Sequence, residues 1–185
     1  MTAETLNNFS LISRLFGNLF YRSPTDPVLA GVFAWLQQKG LEQVWALDTD
    51  KESEQAVANL QMPLDLAALE KEYRILFQGE QAKVAKDIAA YGINAEEFLA
   101  FRRERNMPEV QSAVDFGLVL LTASWIEDNL DSSAAQAELF ERFLLPCAAK
   151  FLAKVESCAI LPFYRSLALL CREMLAATAD ELEEE

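Results

Sequence analysis

Apolar residues recur every three or four positions along almost the whole chain, and this spacing limits the possible folds more than any other feature. Such a period places apolar side chains along one face of an α-helix. No segment combines a strand pattern with an evident hairpin partner. The sequence therefore predicts an all-α fold, a single-domain bundle of about eight helices. The stripe of the first helix consists of Leu6, Phe9, Ile12, Phe16, Leu19 and Phe20.

Residues that favour helix ends separate the apolar segments from one another. Asp26, Asp65 and Asn94 each precede a segment and are typical N-caps. Gly40 and Gly79 follow two of the segments and are typical helix stops. Between these helices, segments 41–62 and 79–93 have the least regular pattern. A proline-containing linker at 104–112 separates two helical groups.

The last third of the chain shows the same signals. Ser132 or Ser133 is placed to cap a helix. Pro146 lies inside an apolar pattern and is expected to kink or divide that helix, because proline has no amide hydrogen. We predict a helical domain over residues 1–179 and an acidic tail over residues 180–185.

One carboxylate, Asp115, stands directly before a long apolar run in the stretch EVQSAVDFGLVLLTASW. Ser112 and Asp115 match the S-x-x-D capping box, which predicts a buried helix from there to about Glu127. A carboxylate at this end of a helix also meets the positive end of the helix dipole. It can equally accept two hydrogen bonds from an arginine of a bound peptide. The sequence leaves both roles open, and they are compatible.

The charge of the chain indicates which partners it favours. It has 16 Lys and Arg residues against 29 Asp and Glu residues, a net charge of -13. Without the five acidic residues of the tail, a net charge of -8 remains. This argues against nucleic acid or an anionic membrane surface and favours a basic peptide, although solubility alone explains it equally well. The apolar run from Phe116 to Ile126 is too short to span a bilayer.

The chain contains no histidine, which excludes several kinds of site. Catalytic triads that use histidine and zinc sites with histidine ligands are ruled out, and no other catalytic motif is present. The three cysteines show no C-x-x-C spacing, and their apolar context is typical of buried reduced thiols. The N-terminus also lacks a signal-peptide pattern. We therefore expect a cytoplasmic protein without catalytic residues, metal or cofactor.

Three long segments occur in the order and at the spacing expected for one known protein family. These are LEKEYRILFQGE (69–80), NMPEVQSAVDFGLVLLTASWIED (106–128) and LFERFLLPCAAKFLAKVESCAILPFYRSLALL (139–170). Together they resemble the TorD/DmsD/NarJ-type chaperones, which are all-helical and assist the maturation of metal-containing redox enzymes. The start of the chain also fits, so the resemblance covers nearly its whole length, and it is closest to the YcdY branch.

The chain departs from the family pattern at three places. The Asp-His pair of the family reads Asp115-Phe116 here, and EQAKVAKDIAAYG replaces the Pro-Pro-Tyr segment expected after Gly79. Cys147 stands where the family has tryptophan after a proline. The first two changes fall in regions that the family associates with client binding.

The resemblance implies that a client groove lies near Tyr73, Leu76, Phe77, Asp115 and Phe116. Tyr73 and Phe77 lie four residues apart on one helical face, where core packing is the more common role. In a client groove, the same rings are expected to form aromatic walls. Phe116, in place of histidine, is expected to make the groove more apolar and less responsive to pH.

The leading hypothesis is therefore a non-catalytic chaperone, monomer or homodimer, that binds an immature metalloenzyme or its basic twin-arginine leader until the cofactor is inserted. One alternative is a helical enzyme that uses carboxylates with Mg²⁺. Acidic pairs such as Glu70 and Glu72 are instead expected on solvated helix faces. Another alternative is an adaptor that dimerises through an exposed apolar face.

Overall fold

Helices make up most of the chain in the computed structural model, which describes residues 3–45, 47, 50–110 and 114–185. A 3-10 turn (Ile88–Tyr91) and a π-helical turn (Phe140–Leu144) accompany the α-helices. Within the described residues no extended strand forms, which confirms the predicted all-α fold. The α-helices are α1 (Ala3–Tyr21), α2 (Leu29–Gln37), α3 (Gly40–Val44), α4 (Lys51–Gln61), α5 (Leu66–Phe77), α6 (Ala95–Glu104), α7 (Phe116–Asn129), α8 (Ser133–Leu139), α9 (Leu145–Cys158) and α10 (Pro162–Glu184).

The core of the bundle forms where α1 packs along α7 and α10 packs against α4 and α9. The predicted stripe of α1 faces this core, and the Phe16 and Phe20 side chains have no exposed surface. The Leu6 side chain lies outside the described part of the chain. Burial of this apolar face is the main source of stability for a helix of this kind. Cys147 and Cys171 are buried free thiols, as predicted, whereas Cys158 is partly exposed.

Two glycines allow α1 and α7 to approach each other closely. A Cβ atom on Gly117 would lie 2.6 Å from the carbonyl oxygen of Gly17 and 2.8 Å from the amide nitrogen of Tyr21. A Cβ atom on Gly17 would lie 2.9 Å from the carbonyl oxygen of Gly117. Backbone atoms cannot move aside as a flexible side chain can, so larger residues do not fit at this crossing. The crossing fixes the first turn of α7, and with it Asp115, against α1.

Three of the predicted N-caps are confirmed. Asp65 accepts a hydrogen bond from the Ala68 amide, and Asn94 accepts bonds from the first-turn amides of α6. Ser132 accepts a bond from the Ala135 amide at the start of α8. Each side chain satisfies an amide that has no partner within its own helix.

The start of α7 differs from the predicted capping box. Asp115 is itself the N-cap, and its Oδ1 accepts a 2.7 Å hydrogen bond from the Gly117 amide. The helix therefore begins at Phe116, and Ser112 lies outside the described residues. The predicted role of Asp115 in capping α7 is confirmed. It is the N-cap residue itself, whereas the capping box placed it three residues after the N-cap.

The region around α2 corrects two further predictions. Asp26 caps a turn that precedes α2, accepting a bond from the Val28 amide, and the helix begins only at Leu29. Gly40 does not end α2 but begins α3, while Lys39 takes the left-handed conformation with φ 62°. Glycine fits at position 40 because a Cβ atom there would clash with the Trp35 ring. Segment 41–62, one of the two regions of weak pattern, contains α4 and all of α3 after its first residue.

Pro146 divides its helix as predicted. The π-helical turn directly precedes α9, whose first residues include this proline. Proline cannot donate to the carbonyl one turn earlier, and a widened turn accommodates this loss. At the end of the chain, α10 continues to Glu184 and Leu182 packs against the core. The acidic residues from Asp180 to Glu184 therefore lie on a helix, and Glu185 follows its end.

Candidate client-binding site at the start of α7

Two distant segments of the chain meet in front of α7. The Phe116 amide donates a 2.8 Å hydrogen bond to the Lys86 carbonyl, and the Ile88 amide donates a 2.9 Å bond to the Val114 carbonyl. Asp115 thereby forms an isolated antiparallel bridge with Asp87, the residue that follows Lys86. This backbone pairing places the Lys86 side chain beside Asp115.

The Asp115 carboxylate has two different partners. Oδ1 caps α7, and Oδ2 lies 2.9 Å from Nζ of Lys86. Both side chains are largely buried, with 14% of Asp115 and 16% of Lys86 exposed. A charged pair at this depth is screened less by solvent and salt than a surface pair. Asp115 is thus a helix cap and an ion-pair partner at once.

Lys86 is held by more than its carboxylate partner. Its Nζ donates a 2.6 Å hydrogen bond to the Tyr73 hydroxyl and a 3.2 Å bond to the Phe20 carbonyl. The ammonium also lies 4.9 Å from the centroid of the Tyr73 ring and 5.6 Å from that of Phe77. An ammonium has three donors, and here Asp115, Tyr73 and Phe20 supply three acceptors.

Burial and charge shift the pKa values of this group together. Burial raises the pKa of the Asp115 carboxyl above its ordinary value, and Lys86 offsets only part of the effect. Burial alone would lower the pKa of Lys86, but the Asp115 carboxylate and the Tyr73 oxygen raise it. Burial also raises the pKa of the Tyr73 hydroxyl, so this group stays neutral as an acceptor for Lys86.

An aromatic cluster lies beneath the ion pair. The Phe116 ring has no exposed surface, and its centroid lies 4.3 Å from that of Phe151 and 5.7 Å from that of Phe20. Phe77 stacks on Phe151, and Tyr73 packs edge-on against Phe77. The cluster gives the ion pair a rigid apolar floor.

The structure brings Tyr73, Phe77, Asp115 and Phe116 into one region, with Leu76 buried on the same helix as the first two, but it does not arrange them as an open groove. Tyr73, Leu76, Phe77 and Phe116 are each buried, with at most 7% of the residue exposed. The core role that helical spacing favoured for Tyr73 and Phe77 is therefore the one seen. Of the five residues, only Asp115 is partly exposed, and a client role for the set stays a prediction.

Sequence reasoning missed two residues of this region. Lys86 lies in a segment of weak pattern, and its only local signal is a lone cation between apolar Val84 and Ile88. Glu72 was predicted on a solvated face, which is wrong, because only 7% of it is exposed. Its Oε2 accepts bonds of 3.0 and 2.9 Å from the amides that precede α10. The sequence signal that could have indicated a structural role for Glu72 is its position directly before Tyr73 in the family segment LEKEYRILFQGE.

Two general features of the described residues bear on the alternatives. In these ranges, no group of three or more acidic or cysteine side chains is arranged to hold a metal ion. Among the helices of the described part of the chain, none is both long and apolar enough to cross a membrane.

Comparison with known proteins identifies the family. No protein-family model matches the chain. The chain is 37% identical to Chaperone protein YcdY of Escherichia coli K12, an alignment that covers 97% of this chain and 98% of that protein. It is 26% identical to Tat proofreading chaperone DmsD of Salmonella typhimurium, over 92% and 88% of the two chains. An uncharacterized protein of Haemophilus influenzae is 66% identical over the full length of both chains.

These relatives, together with the all-helical fold, define a redox-enzyme maturation chaperone. The chain belongs to the YcdY branch of this superfamily. The predicted resemblance is confirmed.

Proposed function

We propose that this chain binds an immature metalloenzyme, or the basic leader peptide of that enzyme, in the cytoplasm and holds it until its cofactor is inserted. The observation that best supports this proposal is the cation site at the start of α7. There the Asp115 carboxylate, the Tyr73 hydroxyl and the Phe20 carbonyl converge on one ammonium group. These are the groups that a basic side chain of a client requires.

The five residues of the site act in two ways in this proposal. Asp115 accepts hydrogen bonds from the client's basic side chain. The Tyr73, Phe77 and Phe116 rings form the buried floor beneath Asp115 and Lys86, and Leu76 is buried on the same helix as Tyr73 and Phe77. A preformed site of this kind binds with little loss of conformational entropy. The protein acts by binding alone.

The acidic charge of the chain supports encounter with a basic client. A net charge of -13 attracts positively charged segments over a distance of roughly a Debye length. We therefore expect the association rate with a basic leader to fall as salt rises. Calorimetric titration and stopped-flow binding at low and high salt measure this effect. Affinity and rate that do not change with salt contradict the electrostatic part of the proposal.

Purification of the tagged chain from its native host tests the function itself. We expect a metalloenzyme in its cofactor-free form to co-purify with the wild-type chain and, at a lower level, with Asp115→Ala. Asp65→Ala is the matched control, because it also removes a capping carboxylate but lies at the start of α5. Deletion of the chain should lower the metal content of the same enzyme. If no cofactor-free metalloenzyme co-purifies and no enzyme loses metal, the proposed function is wrong.

A further inference from the structure

The groups around Lys86 form a complete binding site for a cation. One carboxylate, one hydroxyl and one carbonyl accept its three hydrogen bonds, and two aromatic rings face the charge. Asp115 also lies at the positive end of α7, which favours its charged form and so opposes the effect of burial. Nothing in this arrangement requires that the bound cation belong to the chain itself.

The site is closed from below and open at one edge. Tyr73 has 1% of its surface exposed, whereas Lys86 and Asp115 each retain a small exposed part. Asp87, paired with Asp115 through the backbone, adds a second negative charge beside this edge. A positively charged group from solvent would therefore approach from the side of Lys86.

We propose that Lys86 is an internal occupant of this cation site, and that an arginine of the client binds by displacing it. The inference rests on the proposed function and assigns the chemistry that the client must bring. A guanidinium has more donors than an ammonium, stacks on aromatic rings and is more weakly hydrated. Lys86 thus makes the site selective, since a client that offers only lysine gains nothing over the group already bound.

The exchange is physically inexpensive because one cation replaces another. Asp115 keeps a positive partner throughout, so no unpaired charge is left buried. Lys86 lies outside the α-helices, between α5 and the 3-10 turn, and its ammonium group stands on a flexible stem of four carbons. It can swing toward solvent while the backbone bonds of Lys86 and Phe116 stay in place.

A labelled peptide with an Arg-Arg pair, and a twin peptide with Lys-Lys, test the proposal by fluorescence anisotropy. If Lys86 leaves the site in about one molecule in ten, Lys86→Met should bind the arginine peptide about tenfold more tightly than wild type. Lys83→Met is the matched control, because it removes the same charge from an exposed side chain of the same segment. It should not tighten binding. Asp115→Asn should weaken binding, and Lys86→Met should give no gain in that background.

A second measurement uses the wild-type chain and does not depend on the folding of a variant. Saturating arginine peptide should raise the acetylation rate of Lys86 by an amine-reactive ester, measured by mass spectrometry, and leave that of Lys83 unchanged. An unchanged or lower rate at Lys86 overturns the proposal, as does a Lys86→Met variant that binds no more tightly than Lys83→Met. If these results occur while a cofactor-free enzyme still co-purifies, the inference fails and the proposed function stands. If that enzyme is also absent, both fail.

Discussion

Lys86 and Asp115 are joined through their side chains, and a backbone hydrogen bond between Lys86 and Phe116 holds them side by side. Nζ of Lys86 lies 2.9 Å from Oδ2 of Asp115, and the Lys86 carbonyl accepts a hydrogen bond from the amide of Phe116, the next residue after Asp115. The backbone pairing sets the distance that the side chains need. These bonds therefore hold the irregular segment between α5 and α6 against the start of α7.

Removal of the Asp115 charge should destabilise the fold more than loss of an ordinary cap. We expect Asp115→Asn, which retains a capping oxygen, to lower the free energy of unfolding by about 2–3 kcal/mol, because Lys86 loses its partner. Asp115→Ala should cost about 1 kcal/mol more through the lost cap. Asp65→Ala, a cap without a buried ion pair, should cost only about 1 kcal/mol. Urea denaturation measures all three, and an Asp115→Asn variant as stable as wild type contradicts the ion-pair argument.

Two Gly→Ala changes, one at the α1–α7 crossing and one at an open position in α2, should have opposite effects on stability. Gly117→Ala should lower stability by roughly 2 kcal/mol or more, since the added Cβ meets the Gly17 carbonyl oxygen at 2.6 Å. Gly31→Ala should raise stability by about 0.5–1 kcal/mol, because nothing lies within 4 Å of its added Cβ and alanine favours helix. Thermal unfolding followed by circular dichroism compares the two. Equal effects would show that the α1–α7 approach is not restrictive.

Stability should fall at high pH in a way that depends on Lys86. The folded-state pKa of Lys86 is raised above its ordinary 10.5, so the stability from its charged form is present below that pH and is lost as pH rises through the raised value. The raised pKa of Tyr73 acts in the same direction. The difference in unfolding free energy between wild type and Lys86→Met should therefore be constant from about pH 7 to 9 and should shrink above 10.5. A difference that grows with pH would reverse the assigned sign.

Phe116→His should introduce a histidine titration near neutral pH, which the natural chain lacks because it contains no histidine. The imidazole would be buried among aromatic rings, which lowers its pKa and disfavours its charged form. We expect a loss of about 3 kcal/mol at neutral pH and a further loss as pH falls below roughly 6.5, the unfolded-state pKa. Ile160→His is the control, because Ile160 is 75% exposed, and it should show neither loss. Chemical denaturation at pH 8 and pH 5.5 tests both variants.

Local signals explain which parts of the fold were predictable. An N-cap acts on amides two or three residues away, so Asp65 and Asn94 could be assigned directly from the sequence, and the cap of α8 could be narrowed to Ser132 or Ser133. Pro146 was equally clear, because proline perturbs the turn that contains it. Gly40 was misread because its reason is the Trp35 ring packed against it, and not its own backbone conformation.

The candidate site depended on contacts that no local pattern carries. Spacing indicated that Tyr73 and Phe77 share a face, and the family resemblance added Asp115 and Phe116. The partner of Asp115 is set by the pairing of two distant segments. The third acceptor for Lys86 is the backbone carbonyl of Phe20, and a backbone carbonyl gives no sequence signal because every residue has one.

By itself, therefore, the sequence determined an all-helical acidic chain, several of its helix starts and the carboxylate at the start of α7, because periodicity, capping and charge act over a few residues. Only the tertiary structure decided that this carboxylate is already paired with Lys86 and that Phe116 is buried beneath it. Burial and ion pairing depend on which distant elements meet, and that follows from the packing of the whole core.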